Sequence, residues 1–271
     1  MGASESTESE AMSSREEVEN VVDVELKSEG KDLPTSNAPT NGTESTTKIP
    51  IDATHYNPLV VVSQSKALEG LFTKLRDVNT SGADFVKYSK RAMAILAEDA
   101  MAEFPSKRIT IQTPCGPYCD GTETIDLSTV CAVSIVRSGD ALLEVVRAIV
   151  PEISVGKILI QRDESHPDKT PKLFYSKLPK HKKYVLLCDP MLATGGSAIM
   201  ALDVLTVKYK ISARNIIFAN MICCPEGLQA LKESYPRVKI VTAMVDSHLN
   251  ADKFIVPGLG DYGDRYFGTE E

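Results

Sequence analysis

The chain has 271 residues, a formal net charge of −7, six cysteines and no tryptophan. Residues 1–50 hold eleven acidic and four basic residues, so they account for the whole charge excess and leave a nearly neutral body, without the basic footprint of a nucleic-acid binder. No apolar stretch reaches the ~20 residues of a bilayer-spanning helix, and no basic-then-apolar signal peptide opens the sequence. The expectation is a cytoplasmic protein with reduced thiols.

Residues 1–54 are rich in Ser, Thr, Glu, Asn and Pro. They read as a disordered acidic tail, because too little apolar surface is available to offset chain entropy. Met1-Gly2-Ala3-Ser4-Glu5-Ser6 matches the loose myristoylation pattern. One acyl chain anchors only marginally, and anionic lipid repels the acidic residues beyond it, so no stable membrane association is expected. Residues 55–271 fit one α/β domain with a substantial core.

Ordered structure is expected near Asn57-Pro58, where Leu59, Val60, Val61 and Val62 follow. Leu68, Leu71, Phe72 and Leu75 form a helical stripe within 64–77, and Phe85, Tyr88, Ala92, Ile95 and Leu96 form another within 83–103. Residues 108–113 alternate polar and apolar, 114–122 hold turn residues, and 123–126 read as the returning strand of a hairpin. Cys115 and Cys119 lack a second ligand pair, so no zinc site is expected there.

Strands then alternate with helices. Strand 130–136 ends in Arg137-Ser138-Gly139, helix 140–149 is stopped by Pro151, and strand 157–161 ends at Arg162. Residues 162–184 are polar, lysine-rich and interrupted by Pro167, Pro171 and Pro179; they read as a long loop, functional or disordered. Strand 185–188, helix 197–208, strand 215–222, helix 226–234 and strand 238–245 complete the series. Cys188, Cys223 and Cys224, at or beside the ends of apolar runs, read as small buried residues. The succession implies a parallel, doubly wound sheet. Ligands collect beyond the C-terminal strand ends of such sheets, where Arg137, Arg162 and Asp189 all fall.

Residues 185–197, VLLCDPMLATGGS, are the most informative. A buried strand delivers Asp189 and then the small-residue turn Ala193-Thr194-Gly195-Gly196-Ser197. Two glycines let backbone N–H groups curl around an anion, Thr194 and Ser197 add hydroxyls, and the following helix dipole favours a phosphate. An ordinary strand-to-helix connection capped by a serine is the alternative. No lysine lies between Tyr184 and Thr206, which excludes the GxxxxGK[ST] loop, and GxGxxG is also absent. Two arginines beside this turn suit a ligand with several phosphates on a sugar. Residues 255–268 hold four glycines, one proline, three aromatics and two aspartates. They are expected to lack regular structure and to present main-chain groups and a ring to a flat heterocycle; a packed chain end is the alternative.

With these motifs in place, the chain resembles eukaryotic uracil phosphoribosyltransferases of the type I phosphoribosyltransferase family. DPMLATGGS at 189–197 is similar to the family's phosphoribosyl-pyrophosphate motif, and VPGLGDYGDRYFGT at 256–269 to its uracil-binding segment. Arg137-Ser138-Gly139 and GKILIQRDE at 156–164 also match. The resemblance covers roughly residues 55–271. Pro190 follows Asp189, as in the uracil branch, where related purine and orotate enzymes usually carry two adjacent acids.

The resemblance implies an α/β fold with a parallel sheet flanked by helices, a hood and a β-hairpin arm. It implies transfer of phosphoribosyl from 5-phospho-α-D-ribose 1-diphosphate (PRPP) to uracil, giving UMP and diphosphate, with Mg²⁺ held mostly through the donor's diphosphate. Asp189, in a motif continuing through Pro190, Met191 and Leu192, should bind the ribose hydroxyls. Ala193, Thr194, Gly195, Gly196 and Ser197 should hold the 5′-phosphate, and Arg137 and Arg162 the pyrophosphate. Ile255, Gly260 and Tyr262 should read uracil through main-chain groups, with Asp261 between base and ribose near the reacting carbon. The polar stretch 163–183 should close and exclude water, leaving His166 and His181 exposed to solvent. A homodimer or homotetramer is implied, and GTP as an allosteric activator stays open.

Overall fold

The computed structural model describes residues 51–162 and 171–269. One helical turn, Ala53–Tyr56 (α1), is capped by Asp52, which accepts from the Thr54 N–H at 3.0 Å. Ala53 is buried in the core, so regular structure begins ahead of the expected boundary between 54 and 55. The rest of the expected tail, with the Gly2 motif, lies outside the described residues.

Val60–Val62 (β1) leads into the helices Ala67–Arg76 (α2) and Gly82–Ala102 (α3). Their apolar stripes are buried as the periodicity requires, with Leu75, Phe85 and Leu96 fully enclosed. Lys107–Gln112 (β2) and Tyr118–Glu123 (β3) pair antiparallel as a largely exposed hairpin, the expected arm. The return strand starts earlier than expected. The turn is tight, with the Thr113 N–H donating to the Pro117 carbonyl at 2.9 Å, and Asp126 instead caps a 3₁₀ turn at Leu127–Thr129.

Val130–Val136 (β4), Gly139–Ile149 (α4), Ser154–Arg162 (β5), Pro171–Lys177 (β6), Tyr184–Cys188 (β7) and Met191–Leu192 (β8) follow. Gly196–Asp203 (α5) continues without a break into a π-helical turn, Val204–Lys208. Ile216–Cys223 (β9), Pro225–Ser234 (α6), Lys239–Val245 (β10), His248–Leu249 (β11), Ile255–Val256 (β12) and Tyr262–Phe267 (α7) complete the chain.

The main sheet runs β1-β10-β9-β7-β4-β5-β6, with β8 also beside β9. Every pairing in it is parallel except β5 with β6. One core packs α2, α3, α4 and α7 on one face, and a second packs α1, α5 and α6 on the other. Burial on both faces explains why β4, β7 and β9 are continuous apolar runs.

Two expectations are corrected here. Residues 162–184 are not a loop throughout, because β6 pairs with β5 as the sheet's antiparallel edge. Pro171 opens that strand, where a missing N–H is tolerated, and its lysines are the charges that protect an exposed edge. His181 is exposed; residues 163–170, including His166, lie outside the described residues. The closing segment is also more regular than expected. β12 pairs with β11, and Asp261 caps α7 by accepting from the Asp264 N–H at 3.0 Å. Tyr262 and Tyr266, one turn apart, stack at 5.6 Å in the first core.

Candidate functional site

Three connections meet at the C-terminal rim of the sheet: the turn after β4, the turn after β8 and the segment from β12 into α7. They enclose a cleft of about 990 Å³. Arg137, Asp189, Met191, Leu192, Ala193, Thr194, Gly195, Gly196, Ser197, Ile255, Gly260, Asp261 and Tyr262 all line it. Pro190 does not; its carbonyl accepts from the Met221 and Ile222 N–H groups at 2.9 and 3.1 Å and so ties the motif to β9. Arg162 ends β5, the neighbour of β4, at the same rim.

Asp189 is the buried charge of the cleft, 7% exposed. The Ser138 hydroxyl donates to its Oδ1 at 2.8 Å, joining the β4 turn to the β7 turn. Burial raises its carboxyl from the ordinary 3.8 to about 7, against the opposing pull of the Ser138 hydroxyl and the Met191 N–H. An acid with that balance, in a cleft, is poised to accept hydrogen bonds from ligand hydroxyls that restore its solvation.

The small-residue turn is shaped by Gly195, which caps α5 at φ +84°, a left-handed conformation that a side chain resists. The first-turn N–H groups of α5 have no partner within the helix and open toward the cleft at the positive end of its dipole. Ser197 therefore sits inside the helix and is not its cap, which sets aside the simple serine-capped connection.

Arg137 follows a cis Val136–Arg137 peptide. Its Nη2 donates to Asp264 Oδ1 at 2.7 Å and its Nη1 to the Thr269 hydroxyl at 2.8 Å, with the guanidinium 5.7 Å from the Phe267 ring centre. The side chain is 49% exposed, so part of its donor fork still faces the cleft. The Thr269 hydroxyl, and then Arg137, hold the Asp264 carboxyl below the usual range. The sequence placed Arg137 at the rim but gave no sign of this tie to α7.

Tyr262 turns its ring away from the cleft, into contact with Phe85 at 5.5 Å and with its hydroxyl 3.7 Å from Met93 Sδ. Only its main chain is left to face a ligand. Asp261 keeps its side chain at the surface of the cleft. Gln161, Asp252, Lys253 and Phe254 also line the space and were missed. Phe254 is 49% exposed, and its position just before the apolar Ile255 was the available signal: a large ring at a strand's entrance, on the solvent side of the β11–β12 ribbon.

The four buried cysteines stay apart from this chemistry. Burial pushes the thiols of Cys131, Cys223 and Cys224 each up to about 12 and raises that of Cys188, which leaves them inert at neutral pH. Cys115 and Cys119 are exposed on the hairpin.

A mostly parallel sheet that carries an acid and a phosphate-type turn beyond one central strand, and an arginine turn beyond the next, defines a type I phosphoribosyltransferase. The family model for uracil phosphoribosyltransferase matches residues 62–269, and the chain belongs to that family. It is 45% identical over 215 residues to a uracil phosphoribosyltransferase of Dictyostelium discoideum, covering 79% of this chain and 97% of the relative. One from Saccharomyces cerevisiae is 41% identical over 214 residues, covering 78% and 97%. Among solved structures, the AQ2163 protein of Aquifex aeolicus superposes with a TM-score of 0.67 at 29% identity, over 78% of this chain and 99% of that one.

Proposed function

We propose that the cleft transfers phosphoribosyl from PRPP to uracil, giving UMP and diphosphate, a pyrimidine-salvage reaction. The observation that carries this reading is the meeting of two sequence-distant motifs, 189–197 and 255–262, in one cleft with Arg137 between them. Asp189 accepts hydrogen bonds from the ribose hydroxyls. Residues 193–197 hold the 5′-phosphate, and Arg137 and Arg162 hold the diphosphate. Ile255, Gly260 and Tyr262 present main-chain groups to the amide-like edge of uracil, and Asp261 stands between base and ribose. Phe254 offers a ring at the mouth for a base to pack against.

As diphosphate leaves the anomeric carbon, negative charge gathers on it and the sugar becomes oxocarbenium-like. In this reading Arg137 and Arg162 stabilise the first electrostatically, and Asp189 and Asp261 serve the second. Among the described residues no three His, Cys, Asp or Glu side chains gather around one point. A magnesium ion would be held mostly by the donor's diphosphate oxygens, and Asp189 and Asp261, which line the cleft, are oxygen donors of the kind it takes. The bound ion supplies further neutralisation of the departing charge.

Main-chain readout separates uracil from cytosine, since each mispaired buried donor or acceptor costs ~1–3 kcal/mol. The exposed β2–β3 hairpin, with Ile111 and Tyr118 open to solvent, supports a homodimer or homotetramer, because a lone two-stranded ribbon is marginal in water. GTP activation belongs to the same question, which sedimentation with and without GTP addresses. No helix among the described residues is long and apolar enough to cross a membrane, and free thiols suit a cytoplasmic setting. The defining assay is UMP formation from uracil, PRPP and Mg²⁺. Absence of product, or comparable turnover of cytosine or orotate, would refute the proposal.

A further inference from the structure

One ion pair, with its carboxylate buried and its arginine partly exposed, takes no part in the steps above. Asp246 follows β10 and is 4% exposed, and Arg76 is the last residue of α2. Arg76 Nη1 donates to Asp246 Oδ2 at 2.7 Å and Nη2 to Oδ1 at 2.6 Å, a bidentate fork. The pair spends its next two hydrogen bonds on a single residue. The Gly258 N–H donates to Asp246 Oδ2 at 2.7 Å, and the Gly258 carbonyl accepts from Arg76 Nη1 at 2.7 Å.

Gly258 is held in the left-handed region at φ +61°, where a Cβ would lie 2.0 Å from the Ile255 carbonyl oxygen. Its neighbour Leu259 is held in the same way: the carbonyl accepts from Arg265 Nη1 at 2.6 Å, while Arg265 also donates to the Leu75 and Asp77 carbonyls at 2.5 and 3.0 Å. Two arginines therefore fasten residues 258–259 to the C-terminal end of α2. Those residues immediately precede Gly260 and Asp261, which line the cleft. Asp246 and Arg76 are not among the lining residues.

We infer that the Arg76–Asp246 pair is a positioning device for the pyrimidine: it sets the height of Gly258-Leu259, and through them the main chain at 260–262, without touching substrate. An ion pair with a buried carboxylate is a poor source of stability, since desolvation offsets most of its attraction. A bidentate pair that also captures both polar groups of one glycine instead fixes geometry, and recognition through main-chain groups needs placement within ~0.5 Å. The inference rests on the base being read at 255–262.

The test uses the full chain and measures the KM for uracil and for PRPP separately, with thermal unfolding alongside. Asp246→Asn replaces one acceptor oxygen with an amide: at Oδ1 it faces Arg76 Nη2, at Oδ2 both Arg76 Nη1 and the Gly258 N–H, so one or two contacts are lost with little change of shape. Arg76→Lys keeps the charge and loses the fork. Gly260→Ala reports on the base segment itself. Both pair variants should raise the uracil KM on the order of tenfold and leave the PRPP KM within about twofold.

If Gly260→Ala leaves the uracil KM unchanged, the base-site reading fails and takes the inference with it. If Gly260→Ala raises it while the pair variants change neither KM, or move both in parallel, the positioning role alone is overturned. Insolubility of both pair variants would also overturn it, by making the pair a folding element only.

Discussion

The two ends of the cleft are built differently. The phosphate end is a product of the sheet: β7 delivers Asp189, β8 and Gly195 shape the turn, and α5 supplies its N-terminus. Its residues lie within 184–198 and are held by the sheet, with β7 and β8 paired to β9 and Asp189 joined to Ser138. The base end is assembled from afar. Asp246 meets Arg76 across 170 positions, Arg265 reaches Leu75 across 190, and Arg137 meets Asp264 across 127. Rigid, local architecture suits the charged donor, which any correctly shaped turn will hold. The uncharged base of the proposed reaction offers only hydrogen-bond geometry, and the segment proposed to read it is held by side chains from distant parts of the chain.

The comparison breaks most sharply at Asp189. Asp189→Asn should lower kcat/KM for PRPP by ~10²–10³-fold, since a donor-binding charge is lost at the reacting sugar, as steady-state kinetics would record. The same change should stabilise the protein without ligand. Burial raises the folded carboxyl's pKa from 3.8 to about 7, so between those values the folded state keeps a proton that the unfolded chain has released. Stability then declines as pH rises through that window and levels off above it. Denaturant titration should find Asp189→Asn more stable than the parent by about 2–4 kcal/mol at pH 8, with the difference gone at pH 4. Donor affinity of the parent, followed by calorimetry, should weaken as pH falls below about 7, where the carboxyl loses its charge and one of its oxygens becomes an O–H donor.

Arg137 sits between the two ends, so it sharpens the contrast less cleanly. Arg137→Ala should reduce kcat/KM for PRPP by ~10²-fold, while thermal unfolding shifts little, because a half-exposed ion pair contributes little to stability. A smaller effect falls on the uracil KM through the lost contacts to Asp264 and Thr269. Unchanged donor kinetics would remove Arg137 from the site. The smallest effect belongs to residues 1–50: their deletion should leave both KM values within about twofold, since the residues that build both ends fall within 75–269.

Much of the phosphate end was legible in the sequence because its determinants are contiguous. The apolar runs of β4, β7 and β9, the acid at 189 and the glycines at 195 and 196 all announce a strand feeding a tight turn. The strand–helix alternation likewise fixed a parallel sheet and put Arg137 and Asp189 on one rim. What was misread lies at edges and ends. β6 has the proline and lysines of a loop because an exposed edge strand tolerates or selects them. α7 was hidden by the glycines in and around it, since composition does not reveal that Asp261 caps a helix whose tyrosines bury themselves on α3. The Arg76, Asp246 and Arg265 contacts carry no local signature, and no periodicity within one segment could pair them.

Two separately built ends meet in one cleft, and two-substrate kinetics of UMP formation test this most directly. Asp189→Asn should impair use of PRPP and Gly260→Ala use of uracil, each leaving the other substrate's KM within about twofold. A wild-type protein that forms no UMP, or variants that impair both substrates alike, would contradict it.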